Sequence, residues 1–125
     1  MKRIALPALF AIACLAATAQ AAEPAKTVTT DKGAVWVDDK GQALYTYDED
    51  MTGMSMCNGK CVENWPAFVA QTGAVPEGDW TLVKRNDGRQ QWAYKDKPLY
   101  TWKNDAKPGD VTGDGKGGVW HVAKP

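Results

Sequence analysis

Short apolar runs alternate with turn-forming residues along most of this chain, and the runs are too brief and too often interrupted for long helices. Ala34-Val35-Trp36-Val37 leads through Asp38-Asp39-Lys40-Gly41 into Leu44-Tyr45-Thr46-Tyr47, a hairpin pattern rich in β-forming residues. Thr81-Leu82-Val83-Lys84-Arg85, the turn Asn86-Asp87-Gly88 and Gln90-Gln91-Trp92-Ala93-Tyr94 form a second and stronger hairpin signal. Lys95-Asp96-Lys97 then turns the chain into Pro98-Leu99-Tyr100-Thr101-Trp102, and Val119-Trp120-His121-Val122 makes a last strand. No stretch keeps a helical period. One short helix fits Asn58 to Trp65, where Pro66 stops it because the residue before proline avoids helical geometry. The pattern predicts an all-β fold of about seven short strands with one short helix near the cysteine pair. Trp36, Tyr45, Trp65, Trp92, Tyr100 and Trp120 are expected in its core.

The chain also resembles itself. Leu44-Tyr45-Thr46-Tyr47 followed by Asp50 matches Leu99-Tyr100-Thr101-Trp102 followed by Asp105 at a spacing of 55 positions, which Trp65 and Trp120 share. Trp36 and Trp92 stand 56 apart, a difference that one turn residue absorbs. Two related β-rich halves, about 33–70 and 88–125, are therefore expected to pack around one core. Within each half, Tyr45 with Tyr47, and Tyr100 with Trp102, lie two apart and share one strand face. Asp50 and Asp105 follow where the strand ends. A carboxylate there can accept N–H bonds of the turn or a phenol or indole donor from a neighbouring ring. The structural reading makes these six residues core and turn acids; the functional reading makes them a ligand platform.

The beginning of the chain sets the compartment. Lys2 and Arg3 precede an apolar run from Ile4 to Ala17 that ends in Ala19-Gln20-Ala21, the anatomy of a secretory signal cleaved after Ala21. The run is shorter than the roughly 20 residues a membrane-spanning helix needs, and no later segment approaches that length. Residues 22–32 read as a polar, flexible arm with the makings of a first edge strand, and 33–125 as a single β-rich domain. The expected location is periplasmic or secreted. The alternative is lipid anchoring through Cys14, although Ala11 stands where a lipoprotein signal carries a larger aliphatic residue. Fifteen basic and fifteen acidic residues balance in the full chain, and losing Lys2 and Arg3 leaves a net charge near −2. With no basic stripe, nucleic acid is not an expected partner.

The residues of the two halves resemble a known group, the exported proteins described as a secreted repeat of unknown function, many predicted to be lipoproteins and marked by Tyr-x-(Phe/Trp/Tyr)-x-x-Asp. The resemblance lies in Leu44 to Asp50, in Cys57-Asn58-Gly59-Lys60-Cys61 leading to Asn64-Trp65-Pro66, in Pro98 to Asp105, and in the ending Gly113 to Val122. It implies an envelope or secreted location and a repeated β-rich unit, and it supplies no activity.

Candidate chemistry is sparse. Cys57 and Cys61 remain after signal removal, an even number in an oxidising compartment, so a structural disulfide is expected. Met51, Met54 and Met56 beside Cys57 supply soft sulfur ligands of the kind that suit Cu(I), with His121, the sole histidine, as an added ligand if the last strand lies nearby. Copper is therefore the one cofactor this chain suggests, with the thiols joining only when reduced; otherwise none is expected. Asp105, Asp110 and Asp114 lie in a glycine-rich loop whose spacing does not fit an EF-hand and reads as turn acids. No nucleophile, acid–base pair or cofactor fingerprint marks an enzyme. Three functions follow in order: an exported non-catalytic binding or structural module for an envelope protein or small ligand, a periplasmic copper-binding protein, and an enzyme.

Overall fold

The computed structural model describes residues 23–125. The signal, the Ala21 cleavage position and Cys14 lie outside the described residues. Lys26–Thr30 (β1) pairs antiparallel with Gly33–Val37 (β2), from Lys26 opposite Val37 to Thr30 opposite Gly33. Thr27, Val28 and Thr29 are β-branched and favour this geometry, so part of the polar arm is a paired edge strand. Asp38 closes the next turn, its Oδ1 accepting the N–H groups of Lys40 and Gln42 at 2.9 Å each, and Ala43 pairs back with Val37.

Tyr45–Tyr47 (β3) pairs with Trp120–Val122 (β7), far along the chain. Trp80–Lys84 (β4), Gln90–Tyr94 (β5) and Lys97–Pro98 (β6) form a three-stranded antiparallel sheet. An α-helix, Lys60–Asn64 (α1), ends before Pro66, and a 3₁₀ turn spans Lys116–Gly118. Among the described residues the fold is thus all-β, with seven short strands and one short helix beside the disulfide.

The two halves do not form separate units; the first receives β7 from the second, and the second receives the bridged segment around Phe68 from the first. Trp36 N–H donates to Ala123 O at 2.9 Å, Ala123 N–H to Leu44 O at 2.7 Å, and Leu44 N–H to Trp36 O at 2.9 Å. The second half repeats this triangle with borrowed Phe68: Trp92 N–H to Phe68 O at 2.9 Å, Phe68 N–H to Leu99 O at 2.9 Å, and Leu99 N–H to Trp92 O at 3.0 Å. Where the halves meet, Tyr45 N–H donates to Tyr100 O at 2.8 Å and Tyr100 N–H to Tyr45 O at 3.0 Å. A pseudo-twofold axis therefore passes between these two tyrosines.

Two apolar clusters fill the interior. One holds Val35, Tyr45, Trp65, Tyr100, Trp102 and Trp120 with Cys57; the other holds Trp36, Leu44, Trp80 and Leu99, with half-buried Phe68, Trp92 and Tyr94 against it. Period-two alternation explains the division, since Leu44 and Tyr45, or Leu99 and Tyr100, project to opposite faces.

Candidate functional site

Four aromatic rings run through the first cluster as a stack in the order Tyr47, Trp120, Trp65, Trp102. Trp65 and Trp120 are the symmetry-related pair at its centre, with centroids 3.8 Å apart and planes 3° from parallel. Tyr47 stacks on Trp120 at 4.2 Å, and Trp102 lies against Trp65 at 4.2 Å, tilted by 31°. Tyr45 and Tyr100 meet the central pair edge-on at 5.3 and 5.2 Å, the arrangement that ring quadrupoles favour.

The hydroxyl groups of those two tyrosines close the molecule across the axis. Tyr45 OH donates to Asp105 Oδ2 at 2.5 Å, and Tyr100 OH donates to Asp50 Oδ2 at 2.7 Å, so each tyrosine takes the aspartate of the other half. Each carboxylate also caps a loop. Asp105 Oδ1 accepts Thr112 N–H at 2.9 Å and the Thr112 hydroxyl at 2.7 Å, while Asp50 Oδ1 accepts Met56 N–H at 2.6 Å. Burial pushes both phenols well above the ordinary tyrosine range, and donating to a carboxylate pushes them further in the same direction. Burial likewise raises the Asp50 carboxyl, against the opposing pull of Met56 N–H, Tyr100 OH and the Arg85 charge.

Gly113 completes the Tyr45 side, its N–H donating to Tyr45 Oη at 3.2 Å. A Cβ there would lie 2.8 Å from Trp65 Cη2 and 3.0 Å from Tyr45 Cζ, so only glycine admits the backbone this close to the stack.

The Tyr100 side is built differently. Ser55 Oγ lies 2.6 Å from Tyr100 Oη, and because the phenol proton is committed to Asp50, Ser55 donates. Arg85, only 6% exposed, donates through Nη1 to Ser55 Oγ at 3.0 Å and Gln91 Oε1 at 2.7 Å, and through Nη2 to Cys57 O at 2.8 Å and Asn58 Oδ1 at 3.1 Å. A buried guanidinium thus holds the loop from beneath. The Cys57–Cys61 disulfide, with Cα atoms 5.2 Å apart, fixes its far end.

Above this clamp stand the methionines. Met51 and Met54 are bridged as neighbours across a tight turn, which places their side chains on one side of the loop. Ser55 points inward, so in extended chain Met54 and Met56 point outward. Met51, Met54 and Met56 are 59, 53 and 51% exposed.

The copper expectation is corrected here. Among the described residues no group of three or more His, Cys, Asp or Glu side chains is arranged to hold a metal ion. Cys57 and Cys61 are joined as a disulfide and offer no thiolate, and His121 Nε2 is engaged with Asp48 Oδ2 at 2.7 Å. Nor do the loop aspartates gather around a cation position. Asp105 serves Tyr45 and Thr112, Asp110 Oδ2 accepts Lys107 N–H at 3.0 Å, and Asp114 Oδ1 accepts Val122 N–H at 2.9 Å.

Of the six residues weighed as a ligand platform, Tyr45 and Tyr100 are fully buried, Trp102 and Asp105 are 8 and 2% exposed, and Tyr47 and Asp50 are half-buried. Sequence reasoning passed over Arg85, Gln91, Ser55 and Gly113. The signal available for Arg85 was its asymmetry, since the 55-residue offset sets it against Thr30.

No curated protein and no solved structure matches the chain. A family model described as a secreted repeat of unknown function matches it twice, over residues 26–69 and 81–124, so that each copy takes in the hairpin of one half and the strand it lends to the other. With more than half of its length covered in this duplicated way, the chain belongs to the family of secreted repeats of unknown function.

Proposed function

We propose that the protein is an exported, non-catalytic binding module in which the twofold aromatic core is scaffold and the methionine loop is the contact surface for an envelope partner. The observation that carries this is the outward display of Met51, Met54 and Met56 on a loop whose backbone is pinned by Arg85, Asp50 and the disulfide. Exposed thioethers are costly to leave in water and adapt readily to an apolar partner surface, the usual merit of methionine at binding faces. The aromatic side chains first considered for that role are committed inward: the hydroxyls of Tyr45 and Tyr100 are spent on Asp105 and Asp50. Release into the periplasm or medium after Ala21 completes the proposal, supported by the signal pattern and by the family's description as secreted.

A photo-crosslinking residue in place of exposed Thr52 tests it in the intact envelope, with the same residue in place of Val75, 62% exposed and outside the loop, as control. The expected result is a discrete crosslinked product from position 52, lost when Met51, Met54 and Met56 are all changed to serine. Equal products from both positions, or none from position 52, would remove this reading.

A further inference from the structure

The loop has a second chemistry that does not depend on any partner. The chain contains four methionines; Met1 opens it, and the other three fall within Met51–Met56. In a core, oxidation of methionine inserts a polar oxygen among apolar neighbours and disrupts packing. Here all three thioethers face solvent, where the new oxygen would be hydrated at little cost.

Among the described residues His121 is exposed, but the tryptophans and cysteines are shielded or already oxidised. Trp36, Trp65, Trp80, Trp102 and Trp120 are between 4 and 8% exposed, Trp92 is half-buried, and Cys57 and Cys61 are already a disulfide. The backbone beneath the thioethers is held by Met56 N–H to Asp50, Arg85 to Cys57 O and Ser55 to Tyr100, none of which involves a thioether sulfur. The matching loop in the other half, around Thr112 and Gly113, carries no methionine at all. Reactive sulfur is thus gathered on one face, over a framework that its oxidation leaves untouched.

We propose that Met51, Met54 and Met56 form a reversible oxidant-accepting site whose substrates are two-electron oxidants of the hypohalous acid class. In each event the thioether sulfur is oxidised and gains an S–O bond. The O–Cl bond of hypochlorous acid breaks, and chloride and a proton are released. Restoration requires a dithiol-dependent methionine sulfoxide reductase, which removes the oxygen as water while two thiols become a disulfide. The protein would then belong with the reactions that consume strong oxidants in the envelope and return the sulfur to its reduced state.

The test titrates the mature protein with hypochlorous acid and maps the products by peptide mass spectrometry. The first three equivalents should add about 48 Da, one oxygen on each of Met51, Met54 and Met56, before any tryptophan is modified. The melting temperature of the oxidised protein should stay within about 3 °C of the untreated value, as for other exposed substitutions. A methionine sulfoxide reductase should then reverse the mass gain. In a Met51→Leu, Met54→Leu, Met56→Leu variant, which keeps side-chain volume nearly constant, tryptophan fluorescence should be lost at a dose about three equivalents lower. Oxidation falling first on tryptophan, unfolding of the oxidised protein, resistance to the reductase, or an unchanged dose in the leucine variant would each overturn the proposal. Crosslinking at position 52 reads partner binding separately, so either reading can fail alone.

Discussion

Replacing Trp120 with alanine is expected to lower folding stability by about 3–5 kcal/mol, most of the margin of a domain this size. Trp120 sits on β7, the strand that the second half lends to the first, and its ring stacks between Trp65 at 3.8 Å and Tyr47 at 4.2 Å with the edge of Tyr100 against it. Its removal leaves a gap that Trp65 cannot fill, because Trp65 is itself fixed between Trp102 and Tyr45. Pseudo-symmetry predicts a comparable loss for Trp65→Ala. Trp92→Ala, at a half-buried ring outside the stack, should cost distinctly less. Urea denaturation of the three variants measures the order, and equal losses at Trp92 and Trp120 would mean that the stack has no special place in the core.

Alkaline unfolding should be steep, and the cause should be Tyr45 and Tyr100. Both phenols are raised in the folded protein by burial first and by their carboxylate acceptors next. A group whose folded pKa lies above its unfolded value stabilises fully below the unfolded value, near 10 for tyrosine, and loses that contribution as pH climbs toward the folded one. Above pH 10 the unfolded chain ionises these phenols while the folded chain keeps their protons. Each then costs at most about 1.4 kcal/mol per pH unit, so stability should fall as pH rises from 10 to 12. Guanidinium melts across that range give the slope directly. Tyr100→Phe should reduce this tyrosine-derived slope even though it weakens the protein at neutral pH, where Asp50 Oδ2 and the Ser55 hydroxyl each lose their bond to the phenol. A slope unchanged in Tyr100→Phe would place the proton release elsewhere.

Much of the fold could be read along the chain because it is local. The alternation around Trp36, Tyr45, Trp92 and Tyr100 reports which face is buried, and the 55-residue spacing reports that the halves repeat. Strand exchange could not be read, because alternation tells which side of Trp120 faces inward but not that Tyr47 rather than a residue of its own half lies opposite. The same limit applied to Asp50 and Asp105. Their chemistry as acceptors for a turn N–H or a phenol was legible, yet the phenol belongs to the other half in each case. Arg85 was hidden by its type. A charged residue at a strand end ordinarily faces water, and only the meeting of Ser55, Cys57, Asn58 and Gln91 around it makes burial tolerable. The methionine loop was conspicuous in the sequence, and the even cysteine count already pointed to the disulfide that removes Cys57 and Cys61 as thiolate ligands.

Exchange of the final strands is what makes two repeats one domain, and a single cut tests it. A specific protease site inserted between Gly73 and Ala74, in the exposed connection between the halves, allows the folded full-length protein to be nicked and passed over a sizing column without denaturant. If β7 truly completes the first half and Phe68 the second, the two pieces should elute together at the size of the intact domain and keep its near-ultraviolet aromatic signal. Separation into two pieces, each folded and half the size, would contradict it.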